Sequence, residues 1–189
     1  MMKMGIFSQC YRIESEVLSF MKQKLAVFLL IVLAAIAVWQ WINSQKETVG
    51  LEIGNKAPNF EVTTLDGEKK SLSDFYGKKV LLNFWATWCP PCKKEMPIMQ
   101  KIYEKHQNEV TIVAVNFTAS EKSAKDVENF VQQAGFTFPI LLDPKNKMNS
   151  GYKILTYPTS FFLDENGVIQ DKVVGELNEK TIKEKLNLK

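Results

Sequence analysis

The chain has one histidine and three cysteines in 189 residues, and that scarcity narrows its chemistry before any motif is considered. A zinc site takes about four ligands. Beside the pair Cys89 and Cys92 only Cys10 and His106 remain, and Cys10 lies far upstream, ahead of an apolar run. No metal site and no bound cofactor are therefore expected. A c-type haem attachment needs histidine directly after the second cysteine, where Lys93 stands instead. No cysteine follows the apolar run, which excludes lipoprotein attachment there. Basic blocks interleaved with aromatics are missing and the formal net charge is only +3, so no nucleic-acid partner is expected. Internal repeats and low-complexity tracts are absent too.

What the chain does have is Trp88-Cys89-Pro90-Pro91-Cys92, two cysteines separated by two residues. Before them, 80–85 is a short apolar run of strand character. After them, 93–106 is helix-forming, with Met96, Met99, Ile102 and Tyr103 on one face. Pro90 and Pro91 suit a helix's first turn, where N–H groups have no partner to lose. Cys89 is thus expected at or just before a helix N-terminus, with Cys92 one turn inside. Unpaired N–H groups and the positive end of the helix dipole favour a thiolate there. An accessible, low-pKa Cys89 beside Cys92 makes a reversible dithiol–disulfide switch. The bland alternative is a purely structural disulfide, although so short a loop is an uncommon staple.

Residues 25–42 are apolar except for Gln40, with Trp39 and Trp41 at the outer end and Lys22 and Lys24 ahead. That length is at the short end of what spans a bilayer. The lysines place the N-terminus in the cytoplasm and the bulk of the chain on the outer face of the cytoplasmic membrane. A buried core helix would carry a polar face, which this run lacks. Ala35-Ile36-Ala37 fits a cleaved signal peptide, but the run continues through Ile42, which favours an uncleaved signal-anchor. Residues 1–20 are weakly patterned, and translation is expected to begin at Met21. The organisation expected is a cytoplasmic segment 1–24, an anchor 25–42, a polar tether 43–54 and a folded domain 55–189.

Within that domain, strands are expected at 60–63, 69–72, 80–85, 110–116, 138–142, 160–163 and 169–174. Asp66-Gly67 and Asn166-Gly167 supply turns. Helices are expected at 93–106, at 123–134 stopped by Gly135, and at 179–188, with a helical turn at 71–75 and a short helix or loop at 144–152. Strand–helix–strand alternation followed by a hairpin and a helix describes an α/β sandwich with a mixed sheet.

The segment Phe84-Trp85-Ala86-Thr87-Trp88-Cys89-Pro90-Pro91-Cys92-Lys93-Lys94-Glu95-Met96-Pro97 resembles the active-site segment of thioredoxin-fold proteins. More narrowly it resembles the membrane-anchored extracytoplasmic thiol–disulfide oxidoreductases of the ResA/TlpA type. The opening Ala57-Pro58-Asn59-Phe60, with Leu65-Asp66-Gly67 and 72–78, and the later Tyr157-Pro158-Thr159-Ser160-Phe161-Phe162-Leu163-Asp164 match that group as well. The resemblance covers about residues 51–189. It implies a thioredoxin-like fold with an N-terminal β extension and a helical insert at about 119–138.

It also implies roles. Cys89 would attack a protein disulfide and Cys92 would resolve the mixed disulfide. Pro158 would be a cis-proline docking extended substrate, with Tyr157, Trp88 and Pro90 shaping the surface around it. Asn83 occupies the position of a proton-accepting aspartate in many thioredoxins and cannot ionise. Glu95, one turn after Cys92, would take the proton instead; alternatively it is an ordinary solvent-facing glutamate. Trp85 is expected in the core, and His106 merely suits a helix's negative end. The partners implied are a protein disulfide outside the membrane, apocytochrome c among the candidates, and a membrane electron carrier as reductant. A monomer is expected. The same motif could run as a disulfide-forming oxidase. A thiol peroxidase or a copper chaperone fits the cysteine spacing less well.

Overall fold

A computed structural model describes Met21 and residues 23–40 and 47–189. The segment 1–20 ahead of the expected start at Met21, Cys10 within it, the end of the anchor and the start of the tether at 41–46 lie outside the described residues. The chain divides into two compact units, 1–46 and 47–189. In the first, α1 (Gln23–Gln40) has a mean hydropathy of 1.9 and is long and apolar enough to cross a membrane. At about 1.5 Å per residue it measures roughly 27 Å, against a hydrocarbon core of about 30 Å.

The second unit begins with an antiparallel pair, β1 (Glu61–Thr63) and β2 (Lys69–Ser71), joined through Gly67 at φ 89°. A 3₁₀ turn, Leu72–Phe75, follows. Then come β3 (Lys79–Trp85), α2 (Pro90–His106), β4 (Val110–Asn116), α3 (Ala124–Ala134) and β5 (Ile140–Leu142). α4 (Lys147–Gly151), β6 (Thr159–Leu163), β7 (Ile169–Val174) and α5 (Glu179–Lys185) complete the chain. The main sheet runs β5-β4-β3-β6-β7, with β3, β4 and β5 parallel and β6 and β7 antiparallel to their neighbours.

β3 and β4 lie at the centre of this sheet and are covered on both faces, which is why each reads as a continuous apolar run. Side chains alternate across the sheet. Leu81 and Trp85 of β3, Ile112 and Ala114 of β4 and Phe162 of β6 pack with Met96, Met99 and Ile102 of α2, Val127 and Val131 of α3, and Ile182 and Leu186 of α5. Val80, Leu82, Phe84, Val113, Val115, Phe161 and Leu163 face the other way, against Leu72, Met148 and Tyr152. By the same alternation Asn83 and Ser160, partners across β3 and β6, fall on the α2 face. A polar pair thus sits at the level where α2 begins.

Local rules account for the helix ends. Ser123 caps α3 by accepting from the Asp126 N–H, and Gly135 closes it in the left-handed region at φ 71°. Three sequence expectations are corrected. The strand expected at 138–142 starts only at Ile140, because Pro139 has no N–H to pair. The final helix stops at Lys185 rather than 188, with Asn187 turning left-handed at φ 51°. Residues 47–54, expected as tether, belong to the compact unit: the Gly50 N–H donates to the Lys56 carbonyl and the Gly54 N–H to the Ile169 carbonyl.

Candidate active site

Cys89 is the N-cap of α2, with Pro90 and Pro91 as its first helical residues, and it is disulfide-bonded to Cys92. The two prolines cost no hydrogen bond there, and the first free donor of the helix, the Cys92 N–H, points at Cys89 Sγ 3.2 Å away. That donor and the helix dipole both favour negative charge on Cys89 in the dithiol form. In the disulfide form Cys89 is 3 % exposed, its side chain accepting from the Cys92 N–H at the helix end. Exposure belongs to its neighbours, Trp88 (52 %) and Pro90.

Glu95 is fully buried, three residues beyond the equally buried Cys92, so the solvent-facing alternative is excluded. Its Oε1 accepts from Asn83 Nδ2 at 2.7 Å and its Oε2 from the Leu177 N–H at 2.7 Å. Asn83 Nδ2 also donates to Ser160 Oγ at 2.9 Å. Burial pushes the Glu95 carboxyl up to about 7, the two hydrogen bonds opposing that rise. A carboxyl so placed is about half ionised at neutral pH and can take up or release a proton there.

Just before β6, the Tyr157–Pro158 bond is cis and Pro158 is buried. Tyr157 packs between two rings. It lies edge-to-face with Trp88 at 5.8 Å and stacks on Phe117 at 5.7 Å. The Trp88 indole N–H donates to Ser120 Oγ at 2.9 Å, and the Tyr157 hydroxyl donates to Asn149 Oδ1 at 2.6 Å. Desolvation, with Asp143 nearby, pushes the Tyr157 phenol up to about 12, so it stays neutral. Cys89, Trp88, Pro90, Tyr157 and Pro158 are thus gathered around the end of α2, with Cys92 and Glu95 beneath them.

The chain is similar to known proteins. Residues 53–172 match the AhpC/TSA family. The thioredoxin-like protein YneN of Bacillus subtilis (strain 168) is 48 % identical over 169 residues, covering 89 % of this chain and 99 % of that one. The thiol–disulfide oxidoreductase ResA of Bacillus cereus (strain ZK / E33L) is 40 % identical over 153 residues, covering 79 % and 86 %. The crystal structure of StoA from Bacillus subtilis aligns with a TM-score of 0.61 at 40 % identity, over 68 % of this chain and 96 % of that one. The chain belongs to the AhpC/TSA family, among its thioredoxin-like thiol–disulfide oxidoreductases.

Around the cysteines of this oxidoreductase stand residues that sequence alone did not single out. Phe117 and Ser120, just after β4, and Asn149, in α4, complete the Trp88–Tyr157 platform. Glu121 holds the residue before Trp88: its Oε1 accepts from the Thr87 N–H at 2.7 Å. None carries a local signal, since each is an ordinary polar or aromatic residue in a loop or short helix. Trp85 is buried as expected, its ring tilted at 38° to Phe130 with centroids 5.5 Å apart. His106 is buried at the end of α2, with Nδ1 3.6 Å from Glu109 Oε1, and takes no part in the site.

Proposed function

We propose that this oxidoreductase reduces disulfides in proteins on the outer face of the cytoplasmic membrane, with disulfide-bonded apocytochrome c as the substrate that its ResA/TlpA resemblance names. The observation that supports this best is the Cys89–Cys92 disulfide at the N-terminus of α2, with a buried carboxyl one turn beyond it. In the dithiol form the Cys89 thiolate attacks one sulfur of the substrate disulfide. That S–S bond breaks, a mixed disulfide forms, and one substrate thiolate leaves. Cys92 then gives its proton to Glu95 and attacks Cys89 Sγ. The second substrate thiolate departs and Cys89 and Cys92 are left joined. The substrate has gained two electrons and the enzyme has lost two.

Trp88, Pro90, Tyr157 and Pro158 form the surface on which the substrate docks. The outer face is oxidising, so electrons return through a separate membrane carrier fed from the cytoplasm. α1 tethers the catalytic unit, as a single-pass signal-anchor with Lys22 and Lys24 inside. The unit acts as a monomer and needs no cofactor.

Trapping tests the order of attack. Reduced Cys92→Ser mixed with an oxidised Cys-x-x-Cys-His peptide is expected to accumulate a one-to-one mixed disulfide through Cys89, and Cys89→Ser none. A peptide adduct found on Cys92 in Cys89→Ser, with none on Cys89, contradicts the assignment.

A further inference from the structure

The two lips of the site, Thr87–Trp88 before α2 and Tyr157–Pro158 before β6, are far apart in the chain and share one contact between rings. Beneath them runs a chain of buried and half-buried polar side chains. Thr87 donates to Glu121 through both its N–H, 2.7 Å from Oε1, and its hydroxyl, which meets Oε2. Glu121 Oε1 also accepts from Asn116 Nδ2 at 2.9 Å. Asn116 Oδ1 accepts from the Thr118 hydroxyl at 3.0 Å, and Thr118 Oγ1 accepts from the Asp143 N–H at 3.1 Å. The Asp143 carboxylate, 2 % exposed, takes the Lys147 N–H on Oδ1, and the Asn149 N–H and Nδ2 on Oδ2, at 2.8 to 2.9 Å. Asn149 Oδ1 accepts the Tyr157 hydroxyl.

The two carboxylates fix the sense of the two amide links, and the Asp143 main-chain N–H fixes that of the link to Thr118, whose hydroxyl also reaches the Asn116 carbonyl at 3.2 Å. A carboxylate only accepts, so Asn116 must turn its amide nitrogen to Glu121 and its oxygen to Thr118. Asn149 must likewise turn its nitrogen to Asp143 and its oxygen to Tyr157. No amide can flip without setting donor against donor or acceptor against acceptor, and in a buried network that is costly. The two amides therefore have one orientation each, and the chain they hold ends on the residues that flank the cysteines.

We infer that the Glu121–Asn116–Thr118–Asp143–Asn149 relay sets the spacing of the two lips, so that Glu121 and Asn149 are positioning residues for protein substrates. The inference rests on the docking surface proposed above and adds what holds it. A protein disulfide must meet Trp88, Cys89, Tyr157 and Pro158 together, whereas a small disulfide needs only the sulfur. Cutting either end should therefore weaken protein substrates selectively, and cutting both should do little more than cutting one.

The test uses the full chain in mild detergent, as wild type, Glu121→Gln, Asn149→Ala and the double variant. Each is assayed with the oxidised Cys-x-x-Cys-His peptide and with oxidised glutathione. Expected is a rise of about tenfold in KM for the peptide in each single variant, with glutathione rates within about twofold and the reduction potential unmoved. The double variant should lose little beyond either single, the signature of coupled rather than independent sites. Hydrogen exchange of the Thr87 amide supplies a readout that needs no substrate. It should quicken in Asn149→Ala, and in Tyr157→Phe, which keeps the ring and covers the case in which Asn149→Ala fails to fold. Losses that simply multiply, or a Thr87 amide indifferent to the far lip, overturn the relay. A wild type that reduces glutathione but no peptide, while Thr87 still responds, overturns the protein-reductase proposal and leaves the relay standing.

Discussion

In the proposed reaction Glu95 is the residue on which the proton chemistry turns. Its carboxyl is buried with two donors, Asn83 Nδ2 and the Leu177 N–H, and is raised from 4.5 to about 7. The unfolded chain loses this proton near pH 4.5 and the folded chain near pH 7, so across that window the folded state binds more protons. The contribution of this group to stability therefore falls as pH rises from about 4.5 to 7 and levels off above, by an amount on the order of 3 kcal/mol. Glu95→Gln is expected to flatten that slope in urea titrations at pH 5 and pH 8. It should also slow disulfide exchange and erase an inflection near pH 7 in its rate profile. A variant whose exchange rates match wild type between pH 6 and 9 would strip Glu95 of a part in the reaction. The spacing placed Glu95 one helical turn after Cys92, and the ResA/TlpA resemblance supplied the proton role. That Glu95 is inside rather than among the solvated Lys93 and Lys94 was not legible, since it depends on Asn83 and Leu177, which come from other elements.

At the scale of elements, β3, β4 and α2 carry the site, and their order of importance follows from burial. Met99 of α2 is fully buried against the sheet, so Met99→Ala should cost about 2–5 kcal/mol in chemical denaturation. Ser123 caps the exposed start of α3, its hydroxyl accepting from the Asp126 N–H and donating to the Asp126 carboxylate, so Ser123→Ala should cost only about 1 kcal/mol. Equal losses would mean that α2 does not carry the core. These central elements were plain in the sequence, since strands covered on both faces are apolar throughout and α2 shows its stripe. The three-residue strands β1, β2 and β5 were harder to bound, being defined by partners rather than by pattern. The platform behind Trp88 was not visible at all: Glu121 meets Thr87 across 34 residues, and only the closing of the sheet brings them together.

For the whole molecule, the matter is where the enzyme stands and which way electrons run. α1 carries no charge between Lys24 and Gln40, and a lysine at its middle would cost about 2.5–3.5 kcal/mol of insertion free energy. Leu30→Lys should shift the protein out of the membrane fraction while leaving peptide reduction by the 47–189 unit intact; full retention in the membrane would deny α1 the anchoring role. Direction is set by the poise of the Cys89–Cys92 couple, because the same bond exchange runs either way. Its reduction potential, from equilibration of the full chain with glutathione buffers, is the most direct measurement to make. A reductase fed by a membrane donor predicts a value near or below about −250 mV, in the range of thioredoxin. A value near about −120 mV would make the enzyme a strong oxidant, and the proposed direction of electron flow would be wrong.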